Sequence, residues 1–403
     1  MIIGGQLLLE GNASRCRLAP GFIRIADGVL TEVVEGEIPQ KCDIGGRNHI
    51  IAPGFIDTHL HLPQFDMIGA HGMPLLVWLR EITFLAERRW ENVDFASTMI
   101  ERVLNQCLSH GTTAFCAFAT VHHQSAAAAL KIATNRGMRG VIGQVLMDRL
   151  APSDLCKNPV ELIAQTNALI NDFPPSSRMA AAITPRFAIC CTPELLRDAG
   201  TLAKESGAIV QSHLAETVAE CDTVRRLYGG TSYAAVYEDA GLLTDKSIFG
   251  HGIYLDEDDR RKLSKFGSII AHCPTANSFL RSGTMNRGAL VEDDVNVTLG
   301  SDIGAGYERS MVRVARAMIE AAASLSDNIP TAAEAWFLIT AGNANKLGWH
   351  DAGRLQVGSP ADIVVIEPDI AWQDGFVDPL SMLLFAWDDR WIKRVFLRGV
   401  IAC

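Results

Sequence analysis

Between about residue 53 and residue 300 the chain alternates short, almost wholly apolar runs with longer stretches of helical period. The runs "GTTAFCAFATVH", "RGVIGQVLMD", "MAAAITPRFAI", "GAIVQSHLAE", "KSIFGHGIYL", "GSIIAHCPTA" and "VNVTLGSDIG" have the length and apolar continuity of strands buried on both faces. With the run ending in "GFIDTHLHLPQF" the count reaches eight. Helices are predicted after most of them. Thr192-Pro193-Glu194 opens one with a capping side chain, a proline at the first helical position and an early acid. Asp256 opens another, with acids in its first turn and Gly267 just past its end. Eight units in β-then-α order predict a TIM-like (β/α)8 barrel over residues 53–352.

The two ends of the chain carry a different pattern. Within residues 1–52, "GFIRIADGVLTEVVEGEIP" alternates with period two, and within 353–403 "GRLQVGSPADIVVIEP" and "IKRVFLRGVIAC" are again short, β-branched and bounded by turns. So small a sheet is not left unpaired. The ends are therefore expected to join in one small β-sandwich domain beside the barrel, giving an α/β chain of two structural units.

Composition narrows the functional classes. The 403 residues suit a barrel of about 250 residues plus a smaller unit. Hydrophobic residues make up 48% and charged residues 20%, enough for a large core without disulfides. Lys and Arg total 36 against 46 Asp and Glu, a net charge of -10 with no basic run, which argues against nucleic acid as a partner. The 10 cysteines form no C-x-x-C pair, so a reducing cytoplasm is expected rather than a stapled secreted framework. The opening "MIIGGQLLLEGN" does not read as a signal peptide, and no apolar stretch approaches the roughly 18 residues of a membrane span.

Candidate chemistry gathers at the ends of the predicted strands. His59 and His61 alternate on one strand, so both point to one side and can reach one ion. Alone, a histidine at a strand end is as readily a hydrogen-bonded rim residue. The company changes that reading: His213 closes "IVQSH", His251 closes "SIFGH" and Asp302 closes "VNVTLGSD", all at the end of the barrel where active sites lie. Three imidazoles and a carboxylate suit Zn²⁺, with Fe²⁺ an alternative for the same donors. His251 is either a further ligand or a hydrogen-bond partner of the site, and the second role is taken here. Glu216, three residues after His213, can swing over the metal as a proton shuttle; otherwise it is an exposed acid in a first helical turn.

Beyond these residues, "PGFIDTHLHLPQ", "MPLLVWLREITFLAERRW", "HGTTAFCAFATVH", "TPRFAICC", "QSHLAET", "AHCPTANSFLRSG" and "LGSDIGAGYERSM" resemble segments of the amidohydrolase superfamily, in its order, and within it those of its guanine-deaminating members. The resemblance runs from about Pro53 to Leu397. It implies a deformed barrel, a β-sandwich from both termini, one zinc per subunit and a small-molecule substrate, guanine; a cytoplasmic homodimer is expected. Position by position, it makes His59, His61, His213 and Asp302 the metal ligands. It puts Gln64, Arg186 and Phe187 where the base is held, Glu216 on the proton-transfer glutamate and His251 near the attacking water. His213, Glu216 and Asp302 then also touch the substrate. No lysine stands on "VIGQVLMD" or "AAAITPRF" to bridge a second metal.

The chemistry this implies is hydrolytic deamination of guanine to xanthine and ammonia. The same metal site would serve another fused bicyclic amine, such as a pterin or 8-oxoguanine. A barrel scaffold without catalysis is the reading from another class. The small zinc deaminases with H-x-E and P-C-x-x-C motifs are excluded, since neither occurs. Residues 72–90, "GMPLLVWLREITFLAERRW", are apolar and long for a loop; they are expected to roof the pocket, to meet a second subunit, or simply to pack on the barrel. His71, His110, His122, His123 and His350 are read as structural, and His272 as a weaker pocket-wall candidate.

Overall fold

The computed structural model describes residues 1–325, 328–373 and 375–403. Contacts divide the chain into two units, one made of Met1–Asp57, Leu104–Ala114 and Arg309–Cys403, the other of Thr58–Val103 and Phe115–Glu308.

The first unit holds a seven-stranded mixed sheet. Its N-terminal strands are β1 (Ile2–Glu10), β2 (Cys16–Ala26), β3 (Val29–Glu35) and β4 (Ile44–Pro53); its C-terminal strands are β13 (Ile363–Ile366), β14 (Ile392–Leu397) and β15 (Val400–Ile401). The order is β15-β14-β13-β4-β1-β2-β3. The junction expected between the two ends is the antiparallel pairing of β13 with β4, Ile363 opposite Pro53 and Ile366 opposite Ile50. Period two does the sorting: in β2, Ile23 and Ile25 turn into the core while Arg24 between them reaches Glu32 on β3 at 3.0 Å. Ile3, Leu7, Ile23, Leu30, Ile51, Ile363, Val365 and Phe396 meet in one cluster. Each such side chain contributes about 1.5–3 kcal/mol by leaving water, so the ends hold together by burial rather than by any cross-link. All ten cysteines are free thiols.

The second sheet has eight strands in chain order: β5 (Phe55–His61), β6 (Thr112–Phe118), β7 (Arg139–Leu146), β8 (Met179–Pro185), β9 (Val210–Leu214), β10 (Ser247–His251), β11 (Ile269–His272) and β12 (Asn296–Leu299). The pairings from β7 to β12 are parallel. Every residue of β5, β6 and β8 is buried, which is why these runs are apolar throughout and do not alternate. The ring is completed across positions 240 apart in sequence: the Thr58 hydroxyl meets that of Thr298 at 2.9 Å and donates to the Leu299 carbonyl at 2.9 Å. Beyond β12, the Asp302 N–H donates to the His59 carbonyl and the His61 N–H to that of Ile303, both at 2.8 Å. Neighbouring strand ends are thereby pinned side by side.

The expected helix starts are present. Thr192 and Asp256 accept from the N–H groups of Leu195 and Asp259, and Gly267 closes the second helix at φ 69. Residues Leu75–Glu91 form one continuous helical stretch interrupted by a π-turn at Leu79–Thr83, a distortion that tends to mark functional sites. Among the described residues no helix is long and apolar enough to cross a membrane.

Candidate functional site

The candidate residues converge. His59 and His61 lie on β5, His213 near the end of β9, His251 at the end of β10 and Asp302 just past β12. The ligand-capable atoms of His59, His61 and His213 all lie within 4.8 Å of one another, as do those of His59, His251 and Asp302. Asp302 Oδ1 is 3.4 Å from His59 Nε2 and 3.3 Å from His61 Nε2. The backbone bends sharply here: Ala215, His251 and Asp302 have φ of 50, 74 and 51, conformations that non-glycine residues hold only when their surroundings impose them. Two glycines make room for His59, since a Cβ at Gly250 or Gly300 would come within 2.6 Å of it.

Hydrogen bonding sets which ring nitrogens carry protons. His213 Nδ1 faces the Arg186 carbonyl at 2.7 Å, and a carbonyl only accepts, so Nδ1 holds the proton and Nε2 presents a lone pair. That Nε2 lies 3.1 Å from His61 Nε2. By the same logic His251 Nδ1 donates to Asn277 Oδ1 at 2.8 Å, leaving its Nε2 directed toward Glu216 Oε2 at 3.4 Å. Burial favours the neutral form of two of the rings, pushing His61 down to about 4 and His213 well below the usual range. Burial drives Asp302 the other way most strongly, but the imidazoles around it outweigh this and hold it well below the carboxylate range. Imidazole nitrogens, that of His213 presenting a lone pair, gathered around an ionised Asp302 are donors of the kind a dication such as zinc takes. The residues fit a metal.

Glu216 sits between β9 and the helix Val218–Leu227, positioned by that helix's capping box: Glu220 accepts from the backbone N–H groups of Glu216 and Thr217. Its Oε1 accepts from the Ser282 hydroxyl at 2.7 Å. Burial first and the Asp302 charge second push its carboxyl up to about 8, against the pull of Ser282. The shift favours its protonated form.

A pocket of about 370 Å³, counting its opening to solvent, reaches this cluster, within the range of small-molecule sites. Its walls include His61, His213, Glu216, His251 and Asp302 together with Gln64, Arg186 and Phe187. Leu75, Trp78 and Leu79 from the helical stretch also line it, so residues 72–90 contribute a pocket wall. His272 ends β11 as expected and is buried, but is not among the lining residues.

Four supporting residues escaped the sequence reading. Glu87, buried at 1% exposure, receives Arg186 Nη1 on both carboxylate oxygens at 2.6 and 2.7 Å. Arg186 is therefore both a partner in a buried ion pair and a residue lining the pocket. Ser282 and Asn277 hold Glu216 and His251, and Phe118 at the end of β6 packs against the rings of His59, His61 and His213 with centroids 5.0, 4.6 and 4.8 Å away. Only Phe118 had a legible signal, its place at a strand end; an acid on a helix or a serine in a loop looks like any other.

A barrel with metal-capable side chains gathered at its strand ends defines a class, and comparison names it. The amidohydrolase family model matches residues 50–402, and the chain belongs to that family. Guanine deaminase of Escherichia coli (strain K12) is 36% identical to it, over 88% of this chain and 83% of that protein. The solved structure of E. coli guanine deaminase superposes with a TM-score of 0.93 at 33% identity, covering 99% of this chain and 98% of the other. Guanine deaminase from C. acetobutylicum, with guanine bound in its active site, gives 0.92 at 28% identity, covering 99% of both chains.

Proposed function

We propose that this chain catalyses the zinc-dependent hydrolysis of guanine to xanthine and ammonia. The observation carrying the reading is one pocket that joins the imidazole–carboxylate cluster and Glu216 to Gln64, Arg186 and Phe187, in a chain similar throughout to guanine deaminases.

His59, His61, His213 and Asp302 would hold the metal. When bound, zinc supplies Lewis acidity and lowers the pKa of a water from 15.7 to about 7, access to a nucleophile that no single hydrogen bond provides. The remaining work belongs to the chain. Phe187 offers a flat apolar wall, and Arg186 donates to the C6 carbonyl of the base while Gln64 meets the same edge. Asp302 or His251 takes the proton of the attacking water. Glu216 gives its proton to ring N3 as water oxygen bonds to C2; the proton taken by Asp302 or His251 then passes to the exocyclic nitrogen, ammonia leaves as the C2–N bond breaks, and the C2 hydroxyl proton returns to Glu216 as the new carbonyl forms. Its raised carboxyl suits this, because the acid must arrive protonated. On the same reading the chain works as a homodimer in a reducing cytoplasm.

The test is ammonia release from guanine, 8-oxoguanine and a pterin, with metal quantified on the same preparation. One metal per chain and the highest kcat/KM on guanine are expected. Equal or faster turnover of the pterin would overturn the guanine assignment, and no ammonia after zinc loading would overturn catalysis.

A further inference from the structure

Glu87 organises two of the groups assigned to the substrate. Its carboxylate takes Arg186 Nη1 on both oxygens and also accepts from Gln64 Nε2 at 3.2 Å. A side-chain amide has nearly the same shape in its two flipped states, so sterics cannot choose between them; a neighbouring charge can. A carboxylate accepts only. Glu87 therefore holds the Gln64 NH₂ toward itself and turns Oε1 away, a buried acceptor with no hydrogen-bond partner among the described residues. The Glu87 contact occupies one nitrogen of the Arg186 fork, and Arg186 lines the pocket, so the other N–H groups of the guanidinium can serve a ligand. The pocket thus presents an acceptor and a donor from one clamped pair.

That polarity is complementary to a lactam edge, in which a ring carbonyl accepts and the adjoining ring N–H donates. An amidine edge, an amine donor beside an accepting ring nitrogen, is its inverse and would set donor against donor and acceptor against acceptor. We propose that Glu87 is a specificity-determining positioning residue: by fixing the Gln64 amide and the Arg186 guanidinium, it makes the pocket select fused heterocycles carrying a lactam edge and reject those carrying an amidine there. The proposal rests on the reading that this pocket holds a purine-like base. It also gives a role to a buried ion pair of a kind whose replacement by apolar residues is often neutral or stabilising.

The experiment is calorimetric titration of the metal-loaded protein with hypoxanthine, which has the lactam edge, and adenine, which has the inverse; neither carries an amine at C2. The wild-type chain should bind hypoxanthine at least about 100-fold more tightly, the scale expected when buried polar groups are mispaired. Glu87→Gln, whose amide can face either way, should bring the two affinities to within about 3-fold, and Glu87→Asp should restore part of the preference. Equal weakening of both ligands with the preference intact would reduce Glu87 to a structural role and overturn the proposal. So would a wild-type chain that binds both alike or neither. Where Glu87→Gln does not fold, Glu87→Leu, which removes the carboxylate at similar volume, decides: an unchanged ratio overturns the proposal. Ammonia release from guanine by the wild-type preparation is scored separately, so that a lactam preference without turnover sinks the deaminase reading and leaves the role of Glu87 standing.

Discussion

Replacing Glu216 by glutamine should expose a conflict between catalysis and stability at this position. The amide of the Glu216→Gln variant keeps the volume and an acceptor for Ser282, but has no proton to give. The upward shift of the carboxyl, to about 8, favours the protonated form from which the acid acts. Losing a positioned general acid lowers kcat by about 10²–10⁴-fold, while metal content should not change. Stability should move the other way in the metal-free protein. Below about pH 4.5 the carboxyl is protonated in both folded and unfolded chains and imposes no penalty. Between that pH and about 8, the unfolded chain releases the proton and the folded chain keeps it, so wild-type stability falls as pH rises. The shift from 4.5 to about 8 corresponds to on the order of 5 kcal/mol at most. The uncharged amide escapes it. Urea unfolding in chelator at pH 4.5, 6.5 and 8 should show the variant matching the wild type at the lowest pH and exceeding it by a margin that grows with pH. A margin independent of pH, or a normal kcat in the loaded variant, would refute the reasoning.

Two further substitutions probe the metal and the base. His59→Ala removes a ring held between Gly250 and Gly300; metal affinity should fall by at least about 100-fold, beyond what loss of a supporting residue does, and unchanged metal content by elemental analysis would remove His59 from the ligand set. Gly304→Ala places a Cβ 2.1 Å from the Gln64 carbonyl oxygen, at φ +139; KM for guanine should rise about 10-fold or more with metal retained, and an unaltered KM would mean that Gln64 does not hold the base.

The architecture was legible because it rests on short-range periodicity. Apolar runs of strand length report burial on both faces, and the Thr192 and Asp256 caps are local hydrogen bonds between residues three apart. The pairing of the two ends was legible for a related reason: period-two segments with a single apolar face need a partner. The histidines were legible through position, each at or near the end of a strand. The ion pair of Glu87 with Arg186 was not, because the residues are 99 apart and a helical acid does not announce which way it points.

From its own pattern, then, the chain dictated which segments become strands, in what order, and that several metal-capable groups would share one rim. Folding alone decided how those groups are protonated and aimed. His213 owes its inward lone pair to a carbonyl on the next strand end, Glu216 its retained proton to burial beside Asp302, and Gln64 its orientation to a carboxylate on a distant helix. Periodicity is written between near neighbours, whereas the solvation and polarity of a buried group depend on atoms that meet only after the chain has closed on itself.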